Sequence, residues 1–351
     1  MSNKLIGLYV EIISKCNARC AYCYNAKALD ENHIISPTVF AKIVDSAKEA
    51  GISRVAVSGG EPMLHEGLCK MIDYACSKGI SVMLITNLTL YDKKVYDLLC
   101  KHRVSLQITL DGHTAQIHDY TRGVGTFEKI IRNISSLFEL GYNGMIHMRI
   151  NLHKMNYQYV ENIVALAKKH KATDINLAMI NNIGAATNFY EAMAERDYDI
   201  LNQIAVKVEE INNVADDNVK VIFNGLKASL GCPYYGKENL ECGFRIAADG
   251  YVYPCQLFTD KIFNLGNINY EFLEKIINGK KLEQFHTLMN LRKHYIPECQ
   301  ECVYKSMCAT GCPAKSYNDN GNIFSLSGEC SKRRDVFTSN VQHFLSETKL
   351  R

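Results

Sequence analysis

Three cysteines near the start of the chain, in the run Cys16-Asn-Ala-Arg-Cys20-Ala-Tyr-Cys23, have the spacing CxxxCxxC. Three thiolates on one short loop can each bind one iron of a four-iron cubane. The fourth iron then lacks a protein ligand, much as a catalytic zinc keeps an open position. An amino acid chelates such an iron through its amine and carboxylate. If it is the methionine end of a sulfonium, the sulfur lies beside the cluster, and one electron can break a carbon–sulfur bond to release a carbon radical. Zinc is the alternative occupant; it wants a fourth ligand, and His33 is the residue available.

The chain has 351 residues and fourteen cysteines. Eight of the others follow residue 230: Cys232, Cys242 and Cys255, then Cys299-x2-Cys302-x5-Cys308-x3-Cys312, and finally Cys330. Eight thiolates can fill two four-iron clusters completely. Two structural zinc ribbons are the other reading, since paired CxxC elements bind zinc as well. Cys69, Cys76 and Cys100 fall outside both groups and are expected to be inert, buried thiols on helices. The start of the chain lacks the form of an export signal, and no apolar run approaches the length of a membrane span. Clustered cysteines without an export signal point to metal binding in a reducing cytoplasm. Net charge is +3 with no basic stripe, so neither nucleic acid nor a membrane is an expected partner.

The elements that position these cysteines can be read from hydrophobic periodicity. Residues 5–180 alternate strand-like and helix-like segments. Strands are expected at LIGLYVEIIS (5–14), RVAVS (54–58), ISVMLIT (80–86), VSLQITL (104–110), MIHMRINL (145–152) and DINLAMI (174–180). Ser36-Pro37 reads as an N-cap and first helical residue, and Gly79 ends a helix over 66–78. In TFEKIIRNISSLFELG, residues Phe127, Ile130, Ile131, Ile134, Leu137 and Phe138 share one helix face. Six β-α repeats imply a parallel sheet with right-handed crossovers, too few for a closed eight-fold barrel, hence an α/β fold with a partial (β/α)6 barrel. The cysteine triplet follows strand one and Ser58-Gly59-Gly60-Glu61-Pro62 follows strand two, so both lie at one end of the sheet. After about residue 190 the pattern changes to a long helical stretch (191–213), a strand (219–223) and a cysteine-rich region. There Asp249-Gly250 joins FRIAA and YVYPC as a β-hairpin. The expected division is 1–224 for the barrel, 225–335 for a compact cysteine-rich domain with the hairpin and helices, and 336–351 for a closing helix.

CxxxCxxC after the first strand, ending in Tyr22-Cys23, resembles the signature of the radical S-adenosylmethionine (radical SAM) superfamily. Ser58-Gly59-Gly60-Glu61-Pro62 resembles that family's glycine-rich methionine-binding loop, where glycines let backbone approach the ligand and a carboxylate can meet its ammonium. Thr86-Asn87 and Thr109 with Asp111-Gly112 match the family's order after strands three and four. The resemblance implies that Tyr22, Asn87, Gln107, Thr109, Arg122 and Asn151 also line the cofactor pocket. The later cysteines resemble a SPASM domain, the auxiliary-cluster module of peptide- and protein-modifying radical enzymes. Following that family's ligand sharing, Cys232, Cys242, Cys255 and Cys312 would hold an inner cluster, and Cys299, Cys302, Cys308 and Cys330 an outer one. If Cys232 is not a ligand, the inner cluster has an open iron.

The resemblance implies S-adenosylmethionine and three [4Fe–4S] clusters, a 5′-deoxyadenosyl radical that abstracts hydrogen from substrate, and auxiliary clusters that take the electron away. It points to an oxidative peptide maturase that forms a thioether or carbon–carbon crosslink. The alternatives are formylglycine formation as in anaerobic sulfatase maturases, small-molecule dehydrogenation, or a non-catalytic iron–sulfur or zinc protein. In sulfatase maturases an aspartate follows the hairpin's last cysteine as the base; here Gln256 follows Cys255, and glutamine takes no proton at neutral pH. No catalytic base is assigned. No spare cysteine stands in a strand-end loop, which argues against epimerisation. Fifteen residues precede Cys16, so leader recognition is expected to need a separate protein or the helices around 181–217, and a flavodoxin or ferredoxin is expected as electron donor.

Overall fold

A computed structural model describes residues 4–195, 197–214, 218–225, 232, 234, 241–306, 308, 310–328 and 330–348. The elements in chain order are β1 (Lys4–Glu11), α1 (Pro37–Glu49), β2 (Arg54–Ser58), α2 (Leu68–Ser77), β3 (Ser81–Thr86), α3 (Lys93–His102), β4 (Ser105–Thr109), α4 (Ala115–Arg122), α5 (Thr126–Glu139), β5 (Ile146–Leu152), α6 (Val160–Lys169) and β6 (Asp174–Met179). They continue with α7 (Tyr190–Met193), α8 (Tyr198–Val214), β7 (Lys220–Phe223), β8 (Glu241–Ile246), β9 (Tyr251–Tyr253), β10 (Gly266–Asn267), α9 (Leu273–Ile277), α10 (Lys280–Tyr295), α11 (Pro297–Gln300), α12 (Pro313–Asn320) and α13 (Cys330–Thr348).

Strands β1 to β7 pair in sequence order, each parallel to the next. The local signals that open the helices are present: Ser36 caps α1 by accepting from the Val39 N–H at 3.2 Å ahead of Pro37, and Asp92 caps α3 through Lys94 and Val95. Strand side chains alternate between two faces. Val10, Val57, Leu84, Ile108 and Ile150 are fully buried toward the helices. Tyr9, Ile85, Gln107, Thr109, Arg149 and Asn151 take the other face and line a cavity. The concave side of the sheet is therefore built for polar ligands and the convex side for packing.

The hairpin expected around Asp249-Gly250 is there, with β8 and β9 antiparallel through Arg245↔Tyr253 and Ile246↔Val252. It does not stand apart from the barrel. Strand β8 pairs parallel with β1, from Lys4↔Glu241 to Val10↔Ile246, so one ten-stranded sheet runs β10-β9-β8-β1-β2-β3-β4-β5-β6-β7. The strand expected at 219–223 is β7, and it joins the six of the β-α repeats as a seventh parallel strand. Among the described residues, no helix is long and apolar enough to cross a membrane.

Candidate active site

The chain leaves β1 into the cysteine loop and returns along itself: Ile13 bridges Ile34, Ile35 N–H donates to the Ile12 carbonyl and Ser14 N–H to the His33 carbonyl, each at 2.9 Å. The cysteines thus sit on an excursion pinned at its base. The glycine-rich loop after β2 fixes its height. Gly60 and Glu61 N–H groups donate to the carbonyls of Ile13 (2.7 Å) and Lys15 (2.9 Å). A Cβ on Gly59 would lie 2.3 Å from the Ile13 carbonyl oxygen, and one on Gly60 2.3 Å from those of Ser14 and Lys15. The Gly-Gly pair therefore serves a contact between two backbones as well as any approach to ligand.

Around these loops lies a cavity of about 270 Å³, lined by Cys16, Cys20 and Cys23 together with Gln256 and Leu257. Of the residues expected at the cofactor pocket, Tyr22, Ser58, Gly59, Gly60, Asn87, Gln107, Thr109, Arg122 and Asn151 line it. Glu61 and Pro62 do not. The Glu61 carboxylate is 1% exposed; it accepts from Thr86 Oγ1 at 2.7 Å, Met63 N–H at 3.0 Å and Asn87 N–H at 2.8 Å. Those bonds tie the β2 loop to the end of β3, so the carboxylate expected to meet an ammonium is placed as a loop brace. His33, the fourth ligand a zinc reading would use, pairs instead with Glu31 at 3.0 Å on the surface and does not line the cavity.

Beneath the triplet, the Tyr22 hydroxyl donates to Asp111 Oδ2 and accepts from Arg122 Nη1 (3.2 Å) and Asn151 Nδ2 (3.0 Å). Asp111 is fully buried and also accepts from Asn151 N–H at 2.8 Å and Thr121 Oγ1 at 3.2 Å. Burial opposes the Arg122 cation, but Cys20, Tyr22 and Asp111 around it outweigh burial and hold it charged. The Tyr9 hydroxyl, also on the cavity, donates to Ser58 Oγ at 2.7 Å and lies 2.8 Å from that of Tyr24, which donates to Glu11 Oε1 at 2.7 Å. Burial, then the Glu11 charge, pushes the Tyr9 phenol up to about 12, so it stays protonated. Glu11 pairs with Arg245 of β8 through two bonds of 2.9 and 2.8 Å, and Arg245 also reaches Asn25 Oδ1 (3.1 Å) and the Phe258 carbonyl (3.2 Å). One guanidinium thus joins β1, the chain just past Cys23 and the chain just past Cys255.

The later cysteines fall into two places. Cys232, Cys255 and Cys312 lie within electrostatic reach of one another. The side chain of Cys242, on β8, lies outside the described residues. Cys299, Cys302, Cys308 and Cys330 line a second, smaller cavity between α11 and α13. Burial, followed by the neighbouring thiols, pushes Cys23 up to about 12. Burial also raises Cys232 to about 12 and Cys255 to about 11. Binding a metal as thiolates would therefore release protons. Among the described residues, no three Cys, His, Asp or Glu side chains gather closely enough to hold a single ion. Thiolates that each take a different iron of a cubane are not required to do so.

The profile of the radical SAM superfamily matches residues 10–167, and that of SPASM, an iron–sulfur cluster-binding domain, matches residues 238–303. The chain carries a radical SAM domain followed by a SPASM domain. Its relatives include the antilisterial bacteriocin subtilosin biosynthesis protein AlbA of Bacillus subtilis (strain 168), 25% identical over 88% of this chain and 67% of AlbA. The mycofactocin maturase MftC of Mycobacterium tuberculosis is 22% identical over 89% of this chain and 79% of its own. Among solved structures, Streptococcus suis SuiB bound to S-adenosylmethionine superposes with a TM-score of 0.75 at 16% identity, covering 92% of this chain and 76% of SuiB. Native anSMEcpe with bound AdoMet gives 0.72 at 20% identity, covering 98% and 99%.

The cofactors of this radical SAM chain are S-adenosylmethionine, the [4Fe–4S] cluster that binds it, and auxiliary clusters. The donor set fits them: three thiols open onto a cavity floored by glycine backbone, with hydroxyl, amide and guanidinium groups around it. Several lining residues went unread in the sequence. Arg149 stands two residues before Asn151 on one strand and so shares its face, a signal that strand periodicity carries. Tyr9 on β1 carries the same signal, while Tyr24 and Leu257 lie off the strands and carry none.

Proposed function

We propose that this chain is an oxidative peptide maturase that joins residues of a ribosomally made peptide by a thioether or carbon–carbon bond. The observation that carries the reading is the shared cavity: the cysteine triplet and Gln256–Leu257, directly after Cys255 of the auxiliary module, line the same space. A substrate held there touches both halves of the protein. In this reading Cys16, Cys20 and Cys23 hold the cluster that binds S-adenosylmethionine, and Ser58, Gly59, Gly60, Asn87, Gln107, Thr109, Arg122 and Asn151 hold the cofactor. Cys232, Cys242, Cys255 and Cys312 hold the inner auxiliary cluster, and Cys299, Cys302, Cys308 and Cys330 the outer. When bound, these groups supply a 5′-deoxyadenosyl radical and a sink for one electron. The chain supplies the walls. Val57, Leu84, Ile108 and Ile150 close the convex side against water, and the Tyr22–Asp111–Asn151 bonds hold the floor in one arrangement.

Support for a peptide comes from relatives named as biosynthesis protein and maturase, and from SuiB, whose fold this chain shares and which has been seen bound to precursor peptide SuiA. Formylglycine formation is the second reading, supported by likeness to the fold of anSMEcpe. Gln256 stands against it, because the cavity then lacks a carboxylate at the position after Cys255. A cytoplasmic setting, a flavodoxin- or ferredoxin-type donor and a separate leader-binding protein complete the proposal. The test is anaerobic incubation with S-adenosylmethionine, reductant and short peptides encoded beside the gene. A product two hydrogens lighter with a new crosslink by tandem mass spectrometry supports the reading. Formation of 5′-deoxyadenosine without any peptide product under those conditions, or an aldehyde at cysteine or serine, overturns it.

A further inference from the structure

Two buried arginines in the cysteine-rich module are not used by the radical site. Arg292, on α10, is 1% exposed, and Arg333, on α13, is 5% exposed. The Arg292 guanidinium donates to the Ile323 carbonyl (2.6 Å), Thr310 Oγ1 (3.0 Å), the Gly311 carbonyl (3.1 Å), Ser316 Oγ (2.9 Å) and, at 3.5 Å, the Ser325 carbonyl. Every acceptor is neutral. Arg333 donates to Ser327 Oγ at 3.1 Å, and its buried Nε has no partner. Its guanidinium packs on Gly311 so closely that a Cβ there would lie 2.4 Å from Nη2. Two cations therefore flank one glycine. Arg245 has Glu11 as its counter-charge; among the described residues neither Arg292 nor Arg333 pairs with a carboxylate.

A buried cation without a counter-charge carries a penalty of several kcal/mol, and a second cation beside it adds repulsion. Buried Arg is found paired. The groups at hand that can become anionic are the cysteines. Cys312 adjoins Gly311, and the thiols that act most strongly on Arg292 are Cys312, Cys232 and Cys299, drawn from both cysteine groups. Arg333 lines the smaller cavity with Cys299, Cys302, Cys308 and Cys330. A cubane held by four thiolates is a dianion when oxidised and gains a further negative charge on reduction, so a fixed neighbouring cation favours the reduced form.

We propose that Arg292, backed by Arg333, is the fixed counter-charge set between the two auxiliary cluster sites, and that it raises their reduction potentials so that they accept the electron a substrate radical gives up. One electron passes from substrate radical to cluster, and no proton needs to enter the module. The proposal rests on the assignment of the eight later cysteines to two clusters, which iron content tests separately.

The experiment uses the full chain with Cys16, Cys20 and Cys23 changed to Ala, reconstituted without oxygen, so that spectroscopic signals come from the auxiliary clusters alone. About eight irons per chain uphold the two-cluster assignment and about four overturn it, whatever Arg292 does. In that background Arg292→Met is expected to shift the reduction equilibrium at least tenfold toward the oxidised form, about 59 mV in a one-electron titration. Arg292→Lys, which keeps the charge, recovers most of the shift. Full iron with unmoved potentials in Arg292→Met overturns the role. Should Arg292→Met fail to load iron, Arg333→Met in the same background takes its place. Full iron with the potentials moved in the same direction supports the proposal. Full iron with unmoved potentials there, beside iron loss in Arg292→Met, means that the guanidinium serves only its neutral hydrogen bonds, and overturns it.

Discussion

Removing the Arg245–Glu11 pair tests the joint between the radical loop and the auxiliary module. The side chains are 4% and 1% exposed and meet through two hydrogen bonds of 2.9 and 2.8 Å. Replacing one partner leaves the other charged and buried, which costs about 3–5 kcal/mol. Glu11→Gln and Arg245→Met are each expected to destabilise by that amount. The double variant strands no charge. It loses the bonds from Arg245 to Asn25 and Phe258, at about 1 kcal/mol each, while the amide oxygen at position 11 still accepts from Tyr24. It should therefore lie about 3 kcal/mol or more above the sum of the single losses. Urea titration of the four proteins under nitrogen, with the denaturant slope held common, reads this coupling. Since Arg245 also fixes the chain past Cys255, Arg245→Met should lose peptide product faster than 5′-deoxyadenosine. Additive single losses, with the double variant as unstable as their sum, would refute the claim that this is a mutually compensating buried pair.

Replacing Cys16, Cys20 or Cys23 by Ala is expected to abolish 5′-deoxyadenosine formation while leaving about eight irons in the auxiliary module, read by iron analysis. In Gly60→Ala the new methyl meets two backbone carbonyls at 2.3 Å, and overpacking of this kind costs about 1–3 kcal/mol. S-adenosylmethionine cleavage should fall with the auxiliary iron retained. His118 is buried neutral, and burial lowers its pKa from 6.5 to about 4. Its Nδ1 accepts from the Asp111 N–H at 3.1 Å. A lowered folded value means that the unfolded chain binds the proton first, so stability is full above pH 6.5 and is lost as pH falls toward 4. At pH 5.5 the loss is about 1.4 kcal/mol, and denaturation of His118→Gln at pH 7.5 and 5.5 should show a slope shallower by that amount.

Much of the site is written in short-range pattern. Cys16, Cys20 and Cys23 share eight residues of chain, and Ser58-Gly59-Gly60 are consecutive, so any fold that ends two parallel strands side by side brings them together. Gln107, Thr109 and Asn151 follow from alternation along strands whose register is set by buried partners. Glu61 shows where such reading stops. A carboxylate beside two glycines has the composition of a ligand contact, and only the position of Thr86 and Asn87 at the end of β3 shows that its oxygens are taken.

The amino-acid sequence by itself determined the chemistry: three thiolates with one open iron corner, a β-α repeat to carry them, and a hairpin leading to Cys255. Tertiary structure decided that this hairpin extends the same sheet. Lys4 and Glu241 pair across more than two hundred residues, and parallel pairing at that distance leaves no trace in local periodicity, because its hydrogen bonds join backbones whatever their side chains. The charges followed suit. Glu11 and Arg245 are ordinary surface residues to a sequence reader, and burial against each other is what makes them the joint between two cluster sites.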